Sequence, residues 1–420
     1  MKIGVSSVDI TPDFGVPLAG YAARSGLSEG ADIPVRLKAL FIQGARGSRA
    51  LLISADLLWW DPVDLTALQR EIARRWKLPI ASQFFCASHT HSAPTAGRHF
   101  ELTLGKCSTR FRALLKRRLF LAIDAAREDL EEVNSVRTGR ALCRIGIHRR
   151  KRSGGRIIMA PNPSGPVDPE VTLIELLRGD GSSKAVLVNF GCHPTTKGDL
   201  RISSEFCGAA MDMLEEKTKA GCLFLQGFCG DVRPKLVKEG RFAAGTSADI
   251  SRLGKKLYLA LLKARRNATR QTLGAAVRGK SLVISLKMDD RSADAVRCAR
   301  SSSLIERRWA VAMRKRAVQT ALPLRFSILE IGGLLFFGAN GELVVDYGLY
   351  LKKLAPRLIP VGYVNGMTGY IPTDEQIREG GYEGGDAHKA FLLPGPFRAG
   401  IEKKIKKALK KEVKRRILQS

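Results

Sequence analysis

Short apolar runs, separated by longer amphipathic segments, are the feature that most limits the fold of this sequence. Runs of roughly four to nine residues bounded by glycine or polar residues are typical of buried strands. The runs are LLISADLL, IASQFFCAS, AVLVNFGC, CLFLQGF and LLFFGA. The segments between them predict helices at Asp64–Arg75, Phe111–Leu130, Glu205–Ala220, Ser247–Arg265 and Glu342–Leu354. This alternation predicts an α/β fold in which a mixed, partly parallel sheet is flanked by helices.

No internal repeat and no long linker divides the chain, so we predict one large domain over residues 1 to 396. Residues 397 to 420 differ in composition and predict a basic amphipathic helix. Its apolar positions recur at helical spacing, at Ile401, Ile405, Ala408, Leu409, Val413 and Ile417. Such a helix could lie on an anionic membrane surface, or it could pack on its own domain with its lysines in water.

The net charge of +30 indicates that a partner surface, where there is one, is anionic. Nucleic acid is disfavoured as a partner because aromatic residues form only 7% of the chain and do not alternate with the basic clusters. A second basic cluster, Arg144–Arg156, combines like charges with glycines. We predict that this cluster is an exposed loop or hairpin tip.

The sequence shows no sign of export or membrane insertion. Its first residues, MKIGVSSVDITPDFG, lack the basic start and apolar run of a secretory signal. The apolar runs are shorter than the roughly 20 residues that span a bilayer. The eight cysteines form no CxxC pair, and we expect them to be reduced. These features predict a cytoplasmic protein, either freely dissolved or attached peripherally to an anionic membrane through the C-terminal helix.

Polar side chains follow five of the predicted strands at the point where each strand ends. Ligands of open α/β sheets gather beyond the carboxyl ends of the strands, so we expect these side chains to form one site. They are the segment His89-Thr90-His91, His193 in NFGCHPT, Asp231 and Arg233 in GDVRP, Glu342 in ANGEL, and Tyr370 after RLIPVGYVNG.

Three of the six histidines, His89, His91 and His193, lie at these strand ends. Two imidazoles and one carboxylate, with an open position for water, form the usual ligand set of a catalytic zinc ion (Zn2+). A single histidine at a strand end can instead be satisfied by a backbone hydrogen bond, and iron or manganese could occupy the same ligands. The pattern therefore favours a metal site and leaves its metal open.

The segments that carry these groups resemble the catalytic domain of the neutral, non-lysosomal ceramidases and their bacterial relatives. VSSVDITPDFGVPLAGY is similar to the start of that family, and SHTHSAP and NFGCHPT are similar to its two histidine motifs. GDVRP resembles its GDxSP motif, while GELVVDYG and GYIPT followed by GGYEGG resemble its last two site segments. The resemblance runs from Val5 to about Gly385 in the order of the family. It implies the family fold and a zinc-dependent hydrolase that cleaves an N-acyl amide bond.

Carried over to this chain, the resemblance implies a role for each site residue. The implied zinc ligands are His89, His193, Glu342 and Tyr370. His91 and Tyr382, which lies twelve residues after Tyr370, are implied to donate hydrogen bonds to the oxyanion of the tetrahedral intermediate. Asp231, in the GDVRP segment, is also predicted to be a catalytic residue.

Arg233 stands where the GDxSP motif of the family has a serine. A guanidinium cannot act as a nucleophile, so we predict that the chemistry rests on a metal-activated water. The planar guanidinium would suit a carboxylate or phosphate, which makes Arg233 a candidate substrate-binding residue for an anionic acylated compound. Alternatively, Arg233 forms a structural ion pair with Asp231 or Glu205.

The chain also departs from the family in length, because it ends in the basic helix where the ceramidases continue into a β-rich C-terminal domain. Together with the missing export signal, this difference separates the chain from enzymes of extracellular ceramide. The net charge of +30 and the basic C-terminal helix leave a second function open. In it, the chain is a catalytically impaired relative that acts as a basic membrane-surface or anionic-ligand binding protein.

Overall fold

The apolar runs of the sequence form strands, as predicted. The computed structural model describes residues 1–315 and 317–417, except the side chains of Leu104 and Ile417. The strands are β1 (Lys2–Asp9), β2 (Ala31–Ile33), β3 (Arg36–Gln43), β4 (Arg49–Ala55), β5 (Gln83–Ala87), β6 (Glu131–Glu132), β7 (Ser135–Leu142), β8 (Gly146–Ser153), β9 (Arg156–Asn162), β10 (Glu170–Leu177), β11 (Ser183–Phe190), β12 (Ile202–Ser203), β13 (Gly221–Gln226), β14 (Val232–Pro234), β15 (Val237–Lys238), β16 (Arg241–Phe242), β17 (Thr269–Thr272), β18 (Val277–Lys287), β19 (Ala321–Ile331), β20 (Leu334–Ala339), β21 (Glu342–Leu343), β22 (Leu358–Val361) and β23 (Tyr370–Ile371).

Four helices, α1, α3, α5 and α9, begin after a residue whose side chain accepts hydrogen bonds from their free N–H groups. Asp61 accepts hydrogen bonds from the second and third residues of α1, and Thr246 and Asp249 form a capping box at the start of α5. The helices are α1 (Pro62–Trp76), α2 (Glu101–Leu104), α3 (Thr109–Glu128), α4 (Glu205–Thr218), α5 (Ser247–Arg266), α6 (Ala295–Cys298), α7 (Leu304–Lys315), α8 (Val345–Leu354), α9 (Asp374–Glu379), α10 (Ala387–Ala390) and α11 (Ile401–Ile417).

Three larger sheets carry the fold. The first has the strand order β5-β4-β3-β1-β6, the second β13-β11-β10-β7-β17, and the third β18-β19-β20-β22. Most neighbours are antiparallel, but β4–β5, β11–β13 and β20–β22 are parallel. The predicted mixed, partly parallel α/β class is therefore confirmed.

The three sheets share one core, and helices cover their outer faces. Phe84, Leu187 and Phe336, one from each sheet, belong to the same buried cluster and are at most 1% exposed. The outer face of the first sheet packs on α1 and α3, that of the second on α4 and α5, and that of the third on α8 and α11. Burial on both faces explains why the strands are almost continuously apolar.

The C-terminal helix α11 packs on the third sheet through its apolar face. Ile401, Ile405, Leu409 and Val413 are at most 3% exposed. Of the two expectations for this helix, packing on the protein itself is the one that the structure supports, and its apolar face is not free to enter a lipid surface. Residues 418–420 lie outside the described part, and the division at residue 396 stays a prediction.

In the part of the chain that the structure describes, we find no helix that combines the length and the apolar character needed to cross a membrane.

Two local predictions were wrong. Glu342 does not begin a helix, because its N–H donates to the carbonyl of Gly369 at 2.9 Å and so extends a two-residue strand before α8. The cluster Arg144–Arg156 forms the hairpin of β8 and β9. Its tip is exposed as expected, but Arg149 and Arg150 in β8 are buried, since the carboxylate of Glu383 lies against both of them.

Candidate metal and catalytic site

His89 follows strand β5 directly, and its ring is held by the loop after β4. Its N–H donates to the carbonyl of Leu57 at 2.9 Å, and its Nδ1 lies 2.9 Å from the carbonyl oxygen of Leu58. A carbonyl oxygen can only accept, so Nδ1 carries the hydrogen and Nε2 keeps a free lone pair. The φ of His89 is +66°, a left-handed conformation that is rare outside glycine and is concentrated at functional sites.

His193 follows strand β11 and is held in the same way. Its Nδ1 lies 2.7 Å from the carbonyl oxygen of Cys229 and 3.2 Å from that of Val232. Its own N–H donates to the same carbonyl of Val232 at 3.0 Å. The Nε2 of His193 is therefore also a free acceptor, because both of its Nδ1 contacts are to groups that only accept.

The free nitrogens of these two histidines point at one carboxylate oxygen. Oε2 of Glu342 lies 3.3 Å from Nε2 of His89 and 3.2 Å from Nε2 of His193. Nε2 of His91 lies 3.3 Å from Nε2 of His89. The three histidines together form a group whose ligand atoms lie within 4.8 Å of one another and that could hold a metal ion.

A bound cation fits this arrangement. His89, His193 and Glu342 are at most 2% exposed, and neither Nε2 has a hydrogen to donate to the carboxylate. Buried acceptor atoms that face one another repel unless a cation lies among them, and imidazole nitrogen with carboxylate oxygen is a donor set that suits zinc. Nδ1–H donation to a backbone carbonyl is the arrangement found behind most histidine ligands of metals.

The site favours the protonation states that metal ligands need. Burial, assisted by the positive charge of Arg149, lowers the pKa of His193 to about 4. Burial and the two neighbouring histidines also lower the pKa of His91 well below its usual value. Near neutral pH, His91 and His193 are therefore neutral, as histidine ligands of a metal must be.

His91 lies beside the ligand atoms and is positioned by its backbone. Its N–H donates to the carbonyl of Pro194 at 3.1 Å, and its own carbonyl accepts from Arg24 at 2.8 Å. Gly20, with φ of +101°, lies against the ring, and a Cβ at that position would be 2.6 Å from Cγ of His91. Only glycine fits there. Because Nε2 of His89 is an acceptor, Nε2 of His91 can carry a hydrogen and donate it.

Tyr370 is brought beside Glu342 by backbone pairing. Strands β21 and β23 are parallel, with Glu342 and Tyr370 as directly paired residues. The phenol oxygen of Tyr370 accepts a hydrogen bond from Arg149 Nη2 at 3.0 Å, and Arg149 Nε donates to Glu383 at 2.7 Å. Arg149 thus holds the phenol in place, and Glu383 compensates the buried charge of Arg149.

Tyr382 adjoins this group at the start of a single π-helical turn, Tyr382–Asp386. Its ring centre lies 5.2 Å from that of Tyr370. Burial raises the pKa of Tyr382 well above its usual value, so the phenol keeps its hydrogen and can donate it. A π-helical turn is rare and is often found at functional sites.

Two residues of this site were missed by the sequence analysis, namely Arg149 and Tyr363. The ring of Tyr363 stacks on His89 with centres 3.8 Å apart, and its hydroxyl lies 3.4 Å from Oε2 of Glu342. Tyr363 follows strand β22 and has a φ of +57°, a left-handed conformation that is rare for residues other than glycine. In the sequence it stands only as one aromatic in RLIPVGYVNG. Arg149 belongs to the cluster Arg144–Arg156, which was predicted to be exposed because of its many like charges.

The carboxylate of Asp231 is engaged away from the histidine group. Oδ1 accepts from the N–H of Val345 at 2.9 Å, and Oδ2 accepts from Nε2 of His148 at 3.1 Å and Nε2 of Gln376 at 2.9 Å. The N–H of Arg149 also donates to its backbone carbonyl at 2.9 Å. Asp231 therefore ties the loop after β13 to β8, which carries Arg149, and to the helices α8 and α9.

Arg233, on strand β14, has no acidic partner in the described part of the chain. Its guanidinium lies 4.4 Å above the ring of Phe242, and Nη2 donates to the carbonyl of Thr195 at 3.3 Å. No described carboxylate lies within the 4.0 Å of an ion pair, so the alternative pairing with Asp231 or Glu205 does not form.

Comparison with solved structures identifies the fold. A neutral ceramidase from Pseudomonas aeruginosa superposes with a TM-score of 0.73 at 16% sequence identity, and the match covers 99% of this chain and 74% of that one. A ceramidase complexed with C2 superposes with a TM-score of 0.72 at 15% identity, covering 99% and 75% of the two chains. No family model and no curated protein matches the sequence. The chain therefore has the fold of the neutral ceramidases, as the resemblance implied.

Proposed function

We propose that this protein is a zinc-dependent hydrolase that cleaves an N-acyl amide bond. The observation that carries the proposal is the convergence of His89 Nε2, His193 Nε2 and Glu342 Oε2, in which both histidines donate Nδ1–H to backbone carbonyls. On a ceramidase-like fold, this buried group supports a metal-dependent amidase.

Zinc would be held by His89, His193, Glu342 and Tyr370, because all four are buried and Tyr370 is paired with Glu342 through the backbone. When bound, zinc would supply Lewis acidity, lowering the pKa of a water molecule toward about 7 and polarising the amide carbonyl. A phenol oxygen is an unusual zinc ligand. Burial raises the pKa of Tyr370 well above its usual value, and the charge and hydrogen bond of Arg149 act against that shift.

The remaining residues would act on the substrate oxygen. His91 and Tyr382 each have a hydrogen to donate, and negative charge develops on the carbonyl oxygen when water adds to the amide. Asp231 would be a positioning residue that keeps Arg149 and α8 in place. With Arg233 in the place of the family serine, water rather than a side-chain hydroxyl would be the nucleophile.

An apolar groove next to the site supports an acyl chain as one part of the substrate. It has a volume of about 520 Å³, and its lining includes Phe100, Met367 and Phe391. Phe100 and Phe391 both pack on Trp59, and the ring of Trp59 lies 6.0 Å from that of His89. The ring of Trp59 therefore lies between the groove and His89, one of the proposed metal ligands.

Elemental analysis of purified protein tests the proposal. We expect about one zinc per chain in the wild type and its loss in His89→Ala and Glu342→Ala, because each removes a ligand atom. His388→Gln, which changes a histidine outside the cluster, is the matched control and should retain the metal. Wild-type protein that holds no zinc after addition and dialysis would contradict the proposal.

A second candidate, a non-catalytic protein that binds an anionic ligand, is favoured by one observation. Arg233 is half-buried and has no acidic partner in the part of the chain that the structure describes. If this candidate is correct, zinc-loaded protein should bind anionic ligands and should not hydrolyse amides. Its membrane version has less support, since the apolar face of α11 is buried in the protein.

A further inference from the structure

A second arginine, Arg24, lies beside His91 and has no acidic partner among the described residues. Nη1 of Arg24 donates to the carbonyl oxygens of Ala19 and His91, at 2.7 and 2.8 Å. Its Nε and Nη2 atoms are buried and have no hydrogen-bond acceptor among the described residues. The guanidinium lies 4.7 Å above the ring of Tyr21. Two of its donor groups are therefore unused.

Arg233 has the same deficit. Nη2 makes one long hydrogen bond to the carbonyl of Thr195, and Nε is buried without an acceptor in the described structure. The hydroxyl of Thr195 is also buried and unpartnered there. Unused buried donors are uncommon in folded proteins, because each loses its hydrogen bonds to water and gains nothing in return.

The backbone around His91 brings the two arginines into one neighbourhood. Arg24 donates to the carbonyl of His91 at 2.8 Å, and the N–H of His91 donates to the carbonyl of Pro194 at 3.1 Å. Arg233 donates to the carbonyl of Thr195, the next residue in the chain. The ring of Tyr21 lies under the guanidinium of Arg24 and 5.1 Å from the ring of His91. The two guanidiniums are therefore bonded to adjoining stretches of backbone next to the histidine group.

The nearby acids are not ion-paired with either arginine. Glu205 is fully buried, and its Oε1 accepts hydrogen bonds from the N–H groups of Thr196 and Lys197, at 2.9 and 3.1 Å. Asp199, whose charge also acts on Arg24, is ion-paired with Lys197 at 2.8 Å. Neither acid forms an ion pair within 4.0 Å with Arg24 or Arg233. Burial lowers the pKa of both guanidiniums.

We propose that Arg24 and Arg233 form an anion subsite beside His91, so that the preferred substrate carries a carboxylate or phosphate close to the cleaved amide bond. The position of the anion relative to the amide rests on the proposed function, whereas anion binding itself does not. The free donors of two planar guanidiniums and of Thr195 match the several acceptor oxygens of such a group. Neutral amides would lack this recognition.

Binding of anions tests the subsite without catalysis. Isothermal titration at constant ionic strength measures the binding of inorganic phosphate and of acetate, neither of which contains an amide bond. The proteins are the wild type, Arg24→Gln, Arg233→Gln and the double variant. We expect the double variant to bind both ligands at least about tenfold more weakly, since hydrogen bonds to charged groups are lost. His388→Gln should bind phosphate as the wild type does, because this histidine lies outside both groups.

Arg46→Gln, an exposed arginine elsewhere, controls for the nonspecific effect of the net charge of +30. Equal weakening in Arg46→Gln and the double variant would overturn the subsite, as would wild-type protein that binds neither anion. Arg24→Lys keeps the charge but loses the planar fork. Weakening in Arg24→Lys supports recognition by the fork.

Hydrolysis separates the subsite from the proposed function. The substrates are N-lauroylglycine, N-lauroylphosphoethanolamine and neutral N-lauroylethanolamine, which share the same acyl chain. We expect kcat/KM at least about tenfold higher for one of the anionic amides than for the neutral amide in the wild type, and a ratio close to one in the double variant. Whichever anionic amide is preferred identifies the group as carboxylate or phosphate.

Cleavage of the neutral amide without anionic preference would overturn the subsite and leave the proposed function standing. Anion binding that depends on both arginines, in zinc-loaded protein that cleaves none of the amides, would support the subsite and contradict the proposed function.

Discussion

The ligand atoms of His89, His193 and Glu342 and the guanidiniums of Arg24 and Arg233 all lie close to His91. The polar atoms that lack partners are acceptors in the first group and donors in the second. Nδ1 of His89 and Nδ1 of His193 each donate to a backbone carbonyl. The atoms that remain are acceptors that face one another, namely Nε2 of both histidines and Oε2 of Glu342. In the arginine pair what remains is a set of donors. Because buried polar groups need partners, the first region calls for a cation and the second for an anion. The unused atoms of a site thus indicate the charge of its ligand.

The largest expected effect is on the cation side of this comparison. Glu342→Gln keeps the shape of the side chain but removes the charge that faces His89 and His193. We expect zinc affinity to fall by more than about 1,000-fold, beyond the roughly 10- to 100-fold that loss of a group behind a ligand costs. Competition with a chelator measures it, with Glu330→Gln as control. Unchanged affinity would break the comparison, because the acceptors would then not be ligands.

The next largest effect concerns a buried arginine that does have partners. Arg149→Met leaves Glu383 short of one buried cation and removes the hydrogen bond to Tyr370. We expect the free energy of unfolding to fall by about 3 kcal/mol, which is typical when one partner of a buried ion pair is removed. Urea denaturation of the metal-free protein measures the change. A loss below about 1 kcal/mol would mean that Arg150 alone compensates Glu383.

Acid should weaken the metal-free protein by a smaller amount. The pKa of His193 is lowered in the folded state to about 4, against about 6.5 when unfolded, so the unfolded chain binds more protons between these values. Stability from this group is therefore complete above about pH 6.5 and is lost as the pH falls toward 4. We expect about 2 kcal/mol of loss between pH 6.5 and 4.5, measured by urea denaturation. A His193→Gln protein with the same pH slope would contradict this assignment.

The smallest effect is expected on the anion side. Arg233→Met removes a guanidinium that has one long hydrogen bond and no ion pair. We expect the free energy of unfolding to change by less than about 0.5 kcal/mol, as for substitutions that break no specific interaction. The same urea denaturation used for Arg149→Met gives the paired value. A loss as large as that of Arg149→Met would show that Arg233 is structural, and the contrast between the two arginines would disappear.

Much of the fold could be predicted because its signals are local. The apolar runs before His89, His193 and Glu342 became strands at the predicted places, since burial on both faces leaves a run that is visible in the sequence. The helix predicted from Asp64 lies at Pro62–Trp76, and the one from Ser247 lies at Ser247–Arg266. The polar groups after these strands then marked the place of the candidate site.

The errors arose where a residue's environment depends on a distant segment. Arg149 was predicted to be exposed from its charged neighbours, but Glu383, which compensates its charge, is 234 residues away. Glu342 was predicted to begin a helix, but it pairs with Tyr370 in a strand. Tyr363 carried no signal apart from its aromatic ring, because its role depends on stacking against His89.

By itself the sequence determined the α/β class, the strand ends that carry His89, His193 and Glu342, and the amphipathic character of the last helix, since each follows from periodicity within one segment. Only the tertiary structure decided which atoms converge, that Arg149 is buried and paired, and that Arg24 and Arg233 are without acidic partners. The physical reason is that a polar group's hydrogen bonds and desolvation depend on atoms brought to it by the fold, such as Glu342, which lies 149 residues from His193 in the chain.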